Sequence, residues 1–337
     1  MSQETHEWLN TNTLIGFTEK RGHAWHYRAE DQGAESNHYV GPVPVEDVRR
    51  RLFPWHAIEG TVSSTVTLPS GLVVTITDDE RKTIVRPDTQ TILGIFKDGY
   101  TIHQYDEWLL ETVAAILDDS LSIGSAGLLK GGAVAWVSID VPENIVTPEG
   151  VEFRPNLLAA TSLDGSLSTT YQRVVTNVVC DNTMSAALSE GADQRMKVKH
   201  SRYSKVKLAE ARDALAIVHT IGEDFARQVA ELTSIKVSDG DWQRFLDSLA
   251  PLPEDAGRAR TNAENKRESM TRLYNHDARV APWRGTAYGV VQCVNTQVHH
   301  ESRITGSRSE RNMLRAATGG ADKLDRETLE RLRGVLV

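Results

Sequence analysis

The hydrophobic period of this chain changes along its length, and that change constrains the fold more than any other feature. From about residue 60 the pattern has a period of two. Residues 61–68 alternate β-branched side chains with Ser and Thr, and Pro69-Ser70-Gly71 then reads as a turn. Residues 72–77, 82–86 and 91–96 are three more short β-rich runs, with a turn signal at Asp98-Gly99. Over 105–118 the period becomes helical, with Trp108, Leu109, Thr112, Ile116 and Leu117 near one face. Strand patterns return at 121–129, 133–141, 151–161 and 168–176, and the Lys130-Gly131-Gly132 break makes the first two a hairpin. Beyond about 178 the chain reads as helix. Leu208, Ala211, Leu215, Val218, Gly222, Phe225, Val229 and Leu232 recur at alternating spacings of 3 and 4.

Strands followed by helices, without strict alternation, predict an α+β fold and argue against a doubly wound nucleotide-binding fold. The expected architecture is an N-terminal antiparallel β-sheet crossed by a helix, followed by a largely helical C-terminal part. Residues 1–56, with Gly41-Pro42, Pro44 and Pro54, read as an irregular lead-in. Residues 57–235 form the expected β-rich core with crossing helices and a basic segment. Residues 236–337 form a helical region, in which the polar stretch 305–320 reads as a mobile segment.

Composition excludes several classes. Of 337 residues, 39% are hydrophobic and 25% charged, which is too apolar for a disordered chain. No run of about 18 apolar residues exists to span a membrane. Cys180 and Cys293 lack CxxC spacing, against a disulfide framework or a zinc ribbon. The start, Met1-Ser2-Gln3-Glu4, has no basic lead into an apolar run, so the expected location is the cytoplasm.

Catalytic chemistry finds little support. His23, His26, His299 and His300 lie at no clear ligand spacing, so no metal is expected. The clusters at Gly124 and Gly127 and at Gly131-Gly132 are not followed by the Gly-Lys-Ser/Thr of a phosphate loop. No Gly-x-Ser-x-Gly elbow occurs, and Cys180, after an apolar run, reads as a core residue. Asp78-Asp79-Glu80 and Asp118-Asp119 read as solvated acids. No catalytic residue and no cofactor are assigned. The charge layout is more informative. The chain carries 38 basic and 46 acidic residues, a net charge of −8. Between 195 and 212, however, seven basic residues face only Glu210, with His200 and Tyr203 interleaved. A basic segment on an acidic chain is the pattern of a phosphate-tracking patch. Arg303, Arg308, Arg311 and Arg315 form a smaller basic stretch that extends this path or forms a flexible arm.

The segment Val178-Val179-Cys180-Asp181-Asn182-Thr183, followed by Ala186-Ala187-Leu188 and Lys199-His200-Ser201, resembles the signature of the phage/plasmid-like protein family, domain of unknown function 932. Ala24-Trp25-His26, Leu93-Gly94-Ile95, Tyr100-Thr101-Ile102, Asp164-Gly165-Ser166 and Gly285-Thr286-Ala287-Tyr288-Gly289 resemble further family elements in the same order. Leu163, Lys199 and Tyr288 stand where the family pattern has His, Arg and Trp.

The resemblance implies a remote likeness to single-strand annealing recombinases, the RecT and Redβ proteins and the Rad-group annealing protein. The implied function is single-stranded DNA binding and ATP-independent annealing of complementary strands in phage or prophage recombination. The chain would act as a homo-oligomer, ring or filament. A phage exonuclease or a host single-strand-binding protein would be a further partner. On that reading Lys197, Lys199, Arg202, Lys205 and Lys207 hold the DNA backbone with His200 among them, and Lys130 and Arg173 contribute. Asn182 and Thr183 belong to the signature with Cys180 and are expected to cap the following helix. Two alternatives stand beside this reading. One is a metal-dependent nuclease. The other is an interaction factor acting on a host system through the acidic remainder of the chain.

Overall fold

A computed structural model describes residues 3–24, 27–114, 121–140, 144–177, 182–185, 195–201, 221–303, 308, 311–312, 315 and 320–336. The chain divides into two compact units. The first holds residues 1–142, 157–172 and 195–217, and the second holds 143–156, 173–194 and 218–337.

The first unit begins with helix α1 (Gln3–Asn12) and strand β1 (Thr13–Ile15), and helix α2 (Val45–Leu52) follows. The lead-in expected to be irregular is therefore partly regular. β1 has only three residues, too few for a periodic signal, yet it pairs antiparallel with a distant strand, Thr13 opposite Gly127. Strands β2 (Ile58–Thr67), β3 (Val73–Arg86) and β4 (Thr91–Lys97) make an antiparallel sheet of their own. The runs 72–77 and 82–86 belong to one strand. Asp78, Asp79, Glu80 and Arg81 continue β3 through a register shift opposite Thr61/Val62.

The expected helix at 105–118 opens as a π-helical turn, Asp106–Glu111, and continues through Thr112–Ala114. Trp108, Leu109 and Thr112 are all buried, as their spacing predicts, and Ile116 and Leu117 lie outside the described residues. Strands β5 (Ser122–Leu129) and β6 (Val134–Asp140) form the expected hairpin, with Leu129 opposite Val134. Every residue of β6 is buried. A strand covered on both faces reads as a continuous apolar run, which Val134-Ala135-Trp136-Val137 is. Its last residue, Asp140, is buried against Arg21 at 2.7 Å and accepts from Ser138 Oγ at 2.7 Å. The later strands are β7 (Ile145–Val146), β8 (Glu152–Ser162), β9 (Thr169–Asn177), β10 (Asn182–Ser185) and β11 (Arg195–Val198). Within the first unit β11 pairs with the start of β9, Arg195 opposite Gln172 and Val198 opposite Thr169.

In the second unit β7 pairs with the start of β8, and β10 pairs with the end of β9, Thr183 opposite Thr176. Its described α-helices are α3 (Ile221–Ser234), α4 (Asp239–Leu249), α5 (Arg258–His276), α6 (Ala287–Thr296) and α7 (Gly320–Arg333), whereas Leu208, Ala211, Leu215 and Val218 of the expected helical seam lie outside the described residues. Ser238 starts α4 with a reciprocal cap, its Oγ accepting from Asp241 N and its own N–H donating to Asp241 Oδ2. Thr286 caps α6 by accepting from Gly289 N at 3.1 Å. Every residue of α6 is buried, so it is the central helix of this unit. The architecture is α+β, with antiparallel sheets in the N-terminal half and helices in the C-terminal half. No described helix is long and apolar enough to cross a membrane.

Candidate nucleic-acid interface

Strand β11 carries the described start of the basic segment. Lys197 and Val198 point to opposite sides of the strand, and Lys199 is the first residue beyond it. Val198 is fully buried, while both lysines are exposed. Among the described residues, no carboxylate pairs with either lysine. Arg202, Lys205, Lys207 and Cys180 lie outside the described residues.

His200 fixes the end of β11. Its ring stacks between Tyr100, at 4.9 Å between centroids, and His103, at 3.9 Å. The stack continues in both directions, from Tyr100 to Phe96 at 3.9 Å and from His103 to Trp108 at 3.7 Å. Five rings, Phe96, Tyr100, His200, His103 and Trp108, thus lie nearly parallel. Gly165, at φ +77°, and Gly94 bound the Phe96 end, where an added Cβ would fall 2.9 and 2.6 Å from its ring.

A hydrogen-bonded chain fixes the imidazole tautomers. His200 Nδ1 lies 3.1 Å from the Thr101 carbonyl and so must donate to it, which leaves Nε2 to accept from Thr161 Oγ1 at 3.1 Å. Thr161 has one proton and has given it, so its 2.7 Å contact with Thr169 Oγ1 uses the Thr169 proton. His103 Nδ1 must then donate to Thr169 Oγ1 at 2.6 Å, and its buried Nε2 keeps a bare lone pair. Burial lowers the His200 pKa to about 4. Burial, aided by neighbouring His200, lowers that of His103 to about 2. Both rings are neutral at pH 7.

These contacts revise several sequence expectations. Both faces of His200 are covered and both nitrogens engaged, so it offers no ring to a nucleobase and instead positions β11. Lys130 lies on the β5–β6 turn and pairs with Asp164 at 3.0 Å. Arg173 lies on β9. Asn182 and Thr183 are ladder residues of β10, which runs on to Ser185, so neither stands at a helix N-cap position. Arg308 donates to the carbonyls of His299 and Ser302, and Arg311 to that of Val298. These carbonyls lie near the C-terminal end of the α6 segment, where helical partners run out. Arg308 and Arg311 therefore act as helix-end donors. Phe96, His103, Thr161 and Thr169 escaped the sequence reading, and Tyr100 was read only as part of a family element, because tertiary pairing alone gathers these residues around His200. No group of three or more His, Cys, Asp or Glu among the described residues is placed to hold a metal ion.

The family model for the domain of unknown function DUF932 matches residues 92–320, and the chain belongs to that family. The match takes in the ring stack, β11 and the helices α3 to α6. No curated protein and no solved structure matches the chain.

Proposed function

We propose that the chain is remotely related to the annealing recombinases, binds single-stranded DNA and anneals complementary strands without ATP. The observation that carries this reading is the pair of exposed lysines, 197 and 199, at the start of a basic segment on an otherwise acidic chain. Bringing two polyanions together requires cations along the path and no bond-making residue. The end of strand β11, anchored through His200, carries Lys197, and Lys199 follows it directly. The backbone is held by its phosphates, which leaves base edges free to pair.

Fluorescence anisotropy with a labelled oligonucleotide tests this directly. Each phosphate contact contributes about 0.7 to the log–log salt slope for a single strand. Lys197→Gln with Lys199→Gln is expected to flatten the slope by about 1.4 and to weaken binding at low salt. An unchanged slope and affinity would remove β11 from the interface. No affinity in the unmodified chain would remove the reading itself.

A further inference from the structure

Strand β2 (Ile58–Thr67) is an edge. Its sheet runs in the order β2-β3-β4, and among the described residues no strand pairs with its other side. Ten residues span about 33 Å, a long row of unpaired N–H and C=O groups. Proteins usually blunt such an edge with lysine, proline or a very short strand. β2 has none of these devices, and Glu59 is its only charge. Beyond Thr61, residues 62–67 pair with 73–78 as a two-stranded ribbon, because β4 partners only residues 81–86 of β3. The ribbon exposes Val73 and Ile76, each 59% accessible. Two strands alone are marginal in water.

The sequence of β2 indicates what completes it. Reading outward from Ser64, the flanking residues are Ser63 and Thr65, then Val62 and Val66, then Thr61 and Thr67. Two copies of β2 paired antiparallel about Ser64 would therefore set Val62 against Val66, Thr61 against Thr67 and Ser63 against Thr65. Such β-branched and hydroxyl pairs across strands are favourable. No like charges meet, since Glu59 falls opposite Pro69, outside the mirror. Residues 58–80 contain no Lys or Arg, so a polyanion finds no counter-charge here. A foreign strand gains nothing from the mirror, whereas a second copy of this chain matches it from Thr61 to Thr67.

We propose that two copies of the chain join through β2, antiparallel about Ser64, into one continuous six-stranded sheet. The contact is isologous and closes at two, so a ring or filament would need a second, different interface. This association goes beyond nucleic-acid binding and does not depend on it.

Cysteine cross-linking of the full chain tests the register. Directly opposed residues have Cα atoms about 4.5–5.5 Å apart, within the range a disulfide accepts. Under mild oxidation Ser64→Cys is expected to give a covalent dimer in at least tenfold higher yield than Ser63→Cys, Thr65→Cys or the unmodified chain. In the two neighbours the new thiol faces residue 65 or 63 of the other copy and has no partner. Val62→Lys with Val66→Lys sets lysine against lysine, and its sedimentation mass is expected to fall from dimer to monomer with an unchanged circular dichroism spectrum. A Ser64→Cys yield no higher than its neighbours', an unmodified chain that sediments as a monomer at tens of micromolar, or a lysine variant that stays dimeric would each overturn the proposal.

Discussion

Two buried histidines, His103 and His299, and the half-buried His200 make this protein sensitive to mild acid. His103, His200 and His299 have folded pKa values lowered to about 2, 4 and 3, in each case chiefly by burial. In the unfolded chain each titrates near 6.5. Between 6.5 and the folded value the unfolded state holds the extra proton, so stability is complete above about pH 6.5 and falls as the pH drops. At pH 5 the shortfall is about 1.5 pH units, or about 2 kcal/mol for each histidine. Together they remove about 6 kcal/mol between pH 7 and pH 5, a large part of a usual folding free energy. Among the shifted carboxylates, Asp47, Asp164 and Glu301 are lowered, so they stay ionised at pH 5 and do not share in this loss. Urea unfolding at the two pH values measures the difference. His299→Gln should reduce the loss by about 2 kcal/mol, and His103→Gln with His200→Gln by about 4. Equal stability at pH 7 and pH 5, or variants that keep the full pH dependence, would refute the assignment of buried neutral imidazoles.

Three further outcomes follow from the geometry. Thr161→Val keeps the shape of a fully buried residue but leaves His200 Nε2 without its donor and the Thr169 O–H without its acceptor, while Thr169 Oγ1 still accepts from His103. It should cost about 2–4 kcal/mol in urea unfolding, and no loss would break the proposed proton chain. Gly165→Ala adds a Cβ 2.9 Å from the Phe96 ring at φ +77°, so the melting temperature should fall by several degrees, about 1–3 kcal/mol. Arg308→Ala with Arg311→Ala should lower stability by about 1–2 kcal/mol and leave the salt slope of single-strand binding unchanged. A flattened slope would restore these arginines to the phosphate path.

Periodic segments were legible in the sequence where neighbours along the chain decide their state. The β5–β6 hairpin was expected and is found, and the region 236–337, expected to be helical, holds α4 and α6. Short or interrupted elements were less legible. β1 is three residues long, and its pairing with β5 is decided by tertiary contact. The acids at 78–80 resemble a turn, yet β3 carries them through a register shift. The ring stack was the least visible, since its members come from β4, the loop after it, the π-helical turn and the second residue after β11. His200 attracted attention for the charge around it, whereas its structural role comes from Tyr100 and His103. The lysine pair was legible because charge, unlike packing, can be counted along the chain.

Annealing of two complementary labelled oligonucleotides, without ATP or metal and across a salt series, tests nucleic-acid annealing most directly. Acceleration over the spontaneous rate that fades as salt rises, and weakens in the Lys197→Gln and Lys199→Gln variant, is the predicted result. Spontaneous rates at every salt concentration, with no single-strand binding at low salt, would contradict it.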